Sequence, residues 1–124
     1  MLQQYRLAIQ APMALFAQLQ APLESVKELS GSGPSTLVTL HMIASRIVER
    51  ASAIQPPQEL AAAHALLISA AQLAASAATI RREAALASSM TRAWDASSAA
   101  AGAMMLGARA RTDIQSLLKP PQLR

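Results

Sequence analysis

Small side chains recur at spacings of three and four residues along the last part of the chain, and this pattern constrains the fold most strongly. Residues spaced in this way lie on one face of an α-helix, so the pattern predicts a helix over about Thr91–Leu118. A face with so little bulk allows a neighbouring backbone to approach to the short end of the usual 8–10 Å interaxial range. We call this set the small-residue seam; its members are Ala93, Ala96, Ala100, Ala103, Gly107, Ala110, Ile114 and Leu117.

The rest of the chain is also typical of helices. No segment alternates apolar and polar residues over a sustained length, so we predict an all-α protein. The 124 residues suffice for one modest domain, which we expect over residues 1–119, with 120–124 as a short tail. The chain contains no Cys, which excludes a disulfide scaffold, a Cys-based zinc module, a thiol enzyme and an iron–sulfur protein.

Glycine, proline and serine residues mark three breaks between the predicted helices. In the first break, Gly31 suits a helix C-cap and Pro34 suits the first turn of the next helix. The second break is Gln55-Pro56-Pro57, and the third is Ser88-Ser89-Met90-Thr91, which offers N-cap candidates. The alternative at this third break is one long kinked helix over 58–118, which would reach about 90 Å if straight.

Folding at all three breaks predicts an antiparallel, up-down four-helix bundle with alanine-rich, closely packed interfaces. The third helix carries two adjacent apolar stripes, so we expect it to contact two neighbours. One stripe is Ala63, Leu66, Ala70, Leu73, Ala77, Ile80, Ala84 and Ala87, and the other is Leu60, His64, Leu67, Ala71, Ala74 and Ala78. The four predicted helices are Leu2–Leu29, Pro34–Ile54, Gln58–Ala87 and Thr91–Leu118.

Two prolines interrupt the first predicted helix, and a membrane-length stretch lies in the third. Pro12 and Pro22 each remove a backbone donor and clash with the preceding turn, so the helix should bend at one or both sites, or break in two. Residues 60–80 are long enough to span a bilayer, but their apolar residues are mostly Ala and several polar residues are interspersed. We therefore expect a buried helix of a soluble protein.

The chemistry that helical bundles often host is missing from the sequence. None of the acidic residues has His three positions later, which excludes the usual di-iron pattern, and neither a Gly-x-Ser-x-Gly turn nor a phosphate-binding loop occurs. We predict a non-enzymatic protein without a cofactor. The weak candidates for cofactor ligands are His41 and His64, whose heights in the bundle differ by roughly 10 Å. A histidine in such a position more often lies buried with hydrogen-bond partners.

Bulky residues of the last helix point to a protein partner. Trp94 near the helix start is expected to fill the end of the core; alternatively, with Met90 and Arg92, it anchors a partner. Met104, Met105 and Leu106 stand in a row, and no single helix face can bury all three. We therefore assign Trp94, Met104, Met105 and Leu106 to a candidate interface for a protein partner or a second copy.

Charge and composition leave three functional hypotheses. The net charge of +4 is spread along the chain, so we do not expect nucleic-acid binding. No signal peptide is evident, and the Ala- and Arg-rich composition indicates a GC-rich bacterial genome, with the cytoplasm or periplasm as possible compartments. The leading hypothesis is a self-associating structural or interaction bundle. The alternatives are a carrier of a lipid or tetrapyrrole near Phe16, His41 and His64, and a peripheral membrane protein that uses its first helix.

Overall fold

A computed structural model describes residues 2–29 and 33–119, and 89% of this part of the chain is helical with no strand. The helices are α1 (Leu2–Ala17), α2 (Gln20–Lys27), α3 (Pro34–Ser52), α4 (Ala61–Ala87, preceded by a 3-10 turn at Gln58–Leu60) and α5 (Met90–Leu118). Helices α1 and α2 stand where one helix was predicted; counted together as one unit, they and the other three helices form four units that pack against each other. The all-α prediction is confirmed. The predicted Gly31 cap and the tail at 120–124 lie outside the described residues.

The first predicted helix breaks into two segments, and Pro22 explains where. Proline lacks the N–H that would bond to the carbonyl four residues earlier, which belongs to Gln18. The chain turns at Gln18 and Leu19, where the backbone N–H groups bond three residues back, to Leu15 at 3.1 Å and Phe16 at 2.9 Å. Pro22 then falls in the first turn of α2, where no intrahelical donor is needed. At Pro12, by contrast, α1 continues without a break.

The predicted third loop is confirmed, and it joins α4 to α5 in two residues. Ser88 adopts the left-handed conformation, with φ 49° and ψ 42°, and its N–H and that of Ser89 close the end of α4 on Ala85 and Ala84. This pair of hydrogen bonds is the Schellman motif. The Ser89 side chain accepts the Arg92 N–H at 3.2 Å and caps α5. The chain therefore folds back here, and no single helix runs over 58–118.

Two apolar clusters form the core, and α4 contributes to both. A central cluster joins α2, α3, α4 and α5, while a second cluster joins α1 with the start of α4 and the end of α5. The half-buried ring of Phe16 packs against both clusters and links them. Helix α4 makes its most extensive contact with α5 and its next with α3, as its two apolar stripes predict.

The small-residue seam is buried along most of its length. Ala93 through Ile114 of the seam are buried, whereas Leu117 is 46% exposed, so its assignment to the buried face is wrong. On α4, Ala87 is likewise exposed although the stripe included it. Both residues lie in the last turn of their helix. Ser97, beside the seam, donates its hydroxyl to the Lys27 carbonyl at 2.6 Å and ties α5 to the end of α2.

One helical segment of the described chain, Gln58–Ala87, is long and apolar enough to cross a membrane by length and composition. Core helices of soluble proteins pass the same test. Nearly half of its most apolar window, 44%, is buried inside the protein, against α3 and α5.

Candidate functional site

The surface of α5 opposite the small-residue seam carries the largest exposed apolar side chains of this helix. Met90 is 67% exposed, Trp94 57% and Met105 74%. They belong to one stripe whose members follow each other at spacings of three and four residues, so they share one helix face. None of its members is charged. We call this stripe the outer face of α5; its members are Met90, Trp94, Ser98, Ala101, Met105, Ala108 and Thr112.

The outer face revises two expectations for single residues. The expectation that Trp94 fills the end of the core is wrong, because its side chain is exposed. Ala93 lies on the buried face, and the next residue along a helix points about 100° away from it. Met104 and Leu106 are half-buried, and Met104 packs against the central cluster. Of the candidate interface residues, Trp94 and Met105 are therefore the two that the structure places together on an open face.

Asp95 and Arg109 each follow an outer-face residue by one position and lie along one edge of the outer face. Near the start of α5, Arg92 bridges two carboxylates, with Glu83 of α4 at 3.0 Å and Asp95 at 3.4 Å. Near its end, Arg109 lies 3.4 Å from Asp113. All of these ion pairs are substantially exposed, so each contributes little to stability. Of the two groups that lie directly on this edge, the acidic Asp95 is near the start of α5 and the basic Arg109 is near its end.

His64 is buried, and both of its ring nitrogens are engaged. Nε2 lies 2.8 Å from the Ala51 carbonyl, which can only accept, so this nitrogen carries the proton and donates. Nδ1, 2.8 Å from the Tyr5 hydroxyl, then accepts from it. In this arrangement neither nitrogen is free for a metal or haem iron. Burial raises the pKa of the Tyr5 hydroxyl from 10.0 to about 12, because the phenolate would lose its hydration.

His41 lies apart from His64, on the exposed side of α3. It borders shallow surface depressions between α3 and α4, together with residues such as Met42 and Thr79. The two histidines do not line a common pocket. Within residues 2–29 and 33–119, no group of three or more acidic or histidine side chains could hold a metal ion.

A groove of about 330 Å³ opens where α1 ends, between the α1–α2 turn and α5. Its apolar wall includes Met13, Phe16, Leu67 and Met104, and Arg111 lies at its polar side with glutamine and threonine residues. This groove contains one of the three residues named for the predicted carrier cavity, Phe16, but neither His41 nor His64 lines it.

Two features of this site were not predicted from the sequence. The groove depends on the position of the α1–α2 turn, which helical periodicity alone does not determine. The outer face, in contrast, was visible in the sequence. Its members, which include Met90, Trp94 and Met105, recur at spacings of three and four residues, as the residues of the seam do on the opposite side of the helix. Searching both faces of the helix for that period would have found it.

Comparison with known proteins gives no relative for this chain, since no family model, no curated protein and no solved structure matches it.

Proposed function

We propose that this protein is a non-enzymatic helical interaction module that associates with itself through the outer face of α5. The observation that carries the proposal is the exposure of Met90, Trp94 and Met105 on one uncharged face. Tryptophan and methionine are enriched at protein interfaces, whereas contiguous apolar surface is limited on monomers. Covering these side chains removes apolar area from water, which favours association.

The proposal includes the up-down order of the helices and close packing across alanine-rich interfaces. Helix α5 buries mostly small residues along its seam, while the bulky side chains of Trp94 and Met105 lie on the opposite side. Dispersion between closely spaced backbones stabilises the inner contact, since alanine buries little transfer area. Bulky side chains on the outer face do not add to this inner packing, which supports a role in binding.

The test is the dependence of molecular mass on concentration, measured by sedimentation equilibrium. The 13.0 kDa chain is expected to approach twice its mass as the concentration rises. Met105→Glu should keep it monomeric, because a carboxylate would be desolvated in the interface. Met42→Glu is the matched control, since Met42 is 60% exposed on α3 and lies away from the outer face. A mass of one chain at all concentrations would overturn the proposal.

A second candidate function is transport of an apolar ligand, and the groove beside Phe16 favours it. Its volume of about 330 Å³ and its methionine and phenylalanine wall suit a short acyl chain or a small aromatic molecule. A fluorescent fatty acid is expected to bind with one site per chain. Ala17→Leu, in the groove, should weaken that binding, while Ala14→Leu, exposed on the same helix, should not. Equal binding by both variants would exclude the groove as the site.

A further inference from the structure

We propose that a second copy of this chain docks on the outer face in antiparallel orientation, about a two-fold axis at the height of Ala103. This inference rests on the proposed self-association and specifies its geometry. Three independent properties of the outer face support it: the spacing of its residues, the order of their sizes, and the positions of the charges along its edge.

The spacing fits a helix pair. From Trp94 to Thr112 the outer-face residues alternate steps of four and three, which is the heptad pattern by which two helices pack side by side. Over the whole outer face, from Met90 to Thr112, the length is about 33 Å at 1.5 Å per residue. An α-helix with this pattern on its solvent side has the periodicity to receive an identical helix.

The sizes fit only if the second helix runs in the opposite direction. In the antiparallel register centred at the height of Ala103, Trp94 faces Thr112 of the second copy, and Met105 faces Ala101 of the second copy. Trp94 and Met105 then each meet a small side chain, and Ser98 meets Ala108 between them. In a parallel pair, residues of the same number share a layer, so Trp94 would meet Trp94 and Met105 would meet Met105. The antiparallel register therefore distributes the volume evenly along the contact.

The charges on the edge fit the same register. Asp95 lies eight residues before Ala103 and Arg109 lies six residues after it, so Asp95 of one copy and Arg109 of the other differ in height by two residues, about 3 Å. Both residues lie on the same edge of the contact, so each Asp95 comes beside Arg109 of the other copy, which gives two equivalent ion pairs. Each group already has an exposed in-chain partner, Arg92 and Asp113 respectively, at 3.4 Å. Carboxylate and guanidinium groups both form several hydrogen bonds, so these contacts are compatible.

The extent of the contact sets its strength. A single helix face of this length covers roughly 300–400 Å² on each copy, taking a helix width of about 10 Å. That area belongs to the class of small, transient interfaces. The expected dimer therefore has a dissociation constant in the micromolar range or above and exchanges subunits readily.

Disulfide trapping tests the orientation directly, because the chain has no Cys of its own. Ser98 and Ala108 are exposed residues that face each other in the antiparallel register. Ser98→Cys and Ala108→Cys proteins are prepared separately, then mixed and oxidised mildly. The mixture is expected to form the 98–108 disulfide dimer at least about tenfold faster than either protein alone. Ser69→Cys, exposed on α4, gives the rate of random collision.

Exchange of the charges tests the register. Asp95→Arg and Arg109→Asp should each weaken the dimer by about tenfold, since each places like charges together twice. The double variant restores opposite charges between the copies and should recover most of the affinity. Circular dichroism of each variant checks that the bundle remains folded.

The outcomes separate this inference from the function on which it rests. Faster cross-linking of Ser98→Cys alone than of the mixture, with a dimeric mass, would overturn the antiparallel register but keep self-association. A dimeric mass with cross-linking at the Ser69→Cys rate throughout would place the interface elsewhere on the molecule and also overturn the inference. A monomeric mass at all concentrations would overturn both proposals.

Discussion

Tyr5 and His64 pair two polar groups inside an otherwise apolar cluster. Their rings meet edge to face with centroids 5.6 Å apart, and the Tyr5 hydroxyl supplies the proton that His64 Nδ1 accepts. The Ala51 carbonyl takes the remaining ring proton, and in this way the pair links α1, α3 and α4. A buried polar group without a partner is costly, so both residues depend on each other. The sequence identified His64 as a position on an apolar face, but no pattern indicated that Tyr5 would reach it from 59 residues away.

The raised pKa of Tyr5 makes stability fall in alkaline solution. The folded pKa is about 12 and the unfolded pKa is 10.0, so the unfolded chain releases its proton first as the pH rises. The stabilising contribution is therefore complete below pH 10 and is lost between pH 10 and about 12. Urea unfolding across this range should show that loss, and Tyr5→Phe should remove the alkaline dependence due to this group. Absorbance titration of the single Tyr reports the folded pKa; a value at 10.0 would contradict the account.

Gly107 provides the space that Phe16 occupies. A Cβ built on Gly107 would overlap the edge of the Phe16 ring, whereas a Cβ on Gly33 meets nothing within 4 Å. In an open helix position Gly→Ala would stabilise the protein by about 1 kcal/mol, so the sign of the effect is informative. We expect Gly107→Ala to lower the free energy of unfolding by about 1–3 kcal/mol through overpacking.

The control for this substitution is Gly33→Ala, whose added methyl meets no neighbouring atom and which should cost at most about 1 kcal/mol, from the preference for glycine over alanine at an N-cap position. Combining Gly107→Ala with Phe16→Leu should cost less than the sum of the two single changes, because the smaller side chain relieves the overlap. A gain in thermal stability for Gly107→Ala alone would show that the ring does not contact this backbone.

At the scale of helices, α5 is the element whose two opposite faces differ most clearly in burial and in side-chain size. Its inner face is made mostly of small residues, with Ile114 near its end, and its outer face carries the exposed Trp94 and Met105. The periodicity of the sequence predicted the first face and the limits of the helix closely, because alanine at every third or fourth position leaves no other efficient arrangement. It misplaced Trp94, since a bulky apolar residue beside a small-residue seam is usually inside.

Enlarging the seam tests whether it is tightly packed. Ala100 and Ala103 are fully buried, so Ala100→Leu or Ala103→Leu forces three additional carbons into a closed contact. Either change should destabilise the protein by about 1–3 kcal/mol. Ala65→Leu, on the exposed side of α4, is the matched control and should have little effect. The melting temperatures of the variants test this prediction. If the seam variants melt at the same temperature as the Ala65→Leu control, the seam is loosely packed and the prediction is wrong.

Prolines in α1 and α2 show why element limits were harder to predict than element type. Pro12 and Pro22 stand in near-identical local sequences, yet only Pro22 is associated with a break. The difference lies in tertiary packing. Pro12 is buried within α1, whose residues Tyr5 and Ile9 belong to the second cluster, whereas Leu19 and Leu23 beside Pro22 are fully buried in the central cluster. Helical periodicity does not indicate that the residues on the two sides of the break belong to different clusters.

At the scale of the whole molecule, residue types and their spacing were enough to predict three features. These are the number of helical units, the loop at Ser88–Ser89 and the buried face of α5. The groove beside Phe16 did not, because it arises where separate elements meet. The exposure of Met105 was predicted in part, since three bulky residues in a row cannot all be buried. The positions of Met104 and Leu106, half inside the bundle, required the actual neighbours of α5.

The emission of Trp94 tests the central claim most directly, because it is the only tryptophan and stands on the outer face. Its emission maximum should lie near that of water-exposed tryptophan in dilute solution and shift to the blue as the concentration rises. In Met105→Glu the maximum should stay at the water-exposed position at every concentration. A wild-type maximum that does not move with concentration would contradict the claim that a second copy covers this face.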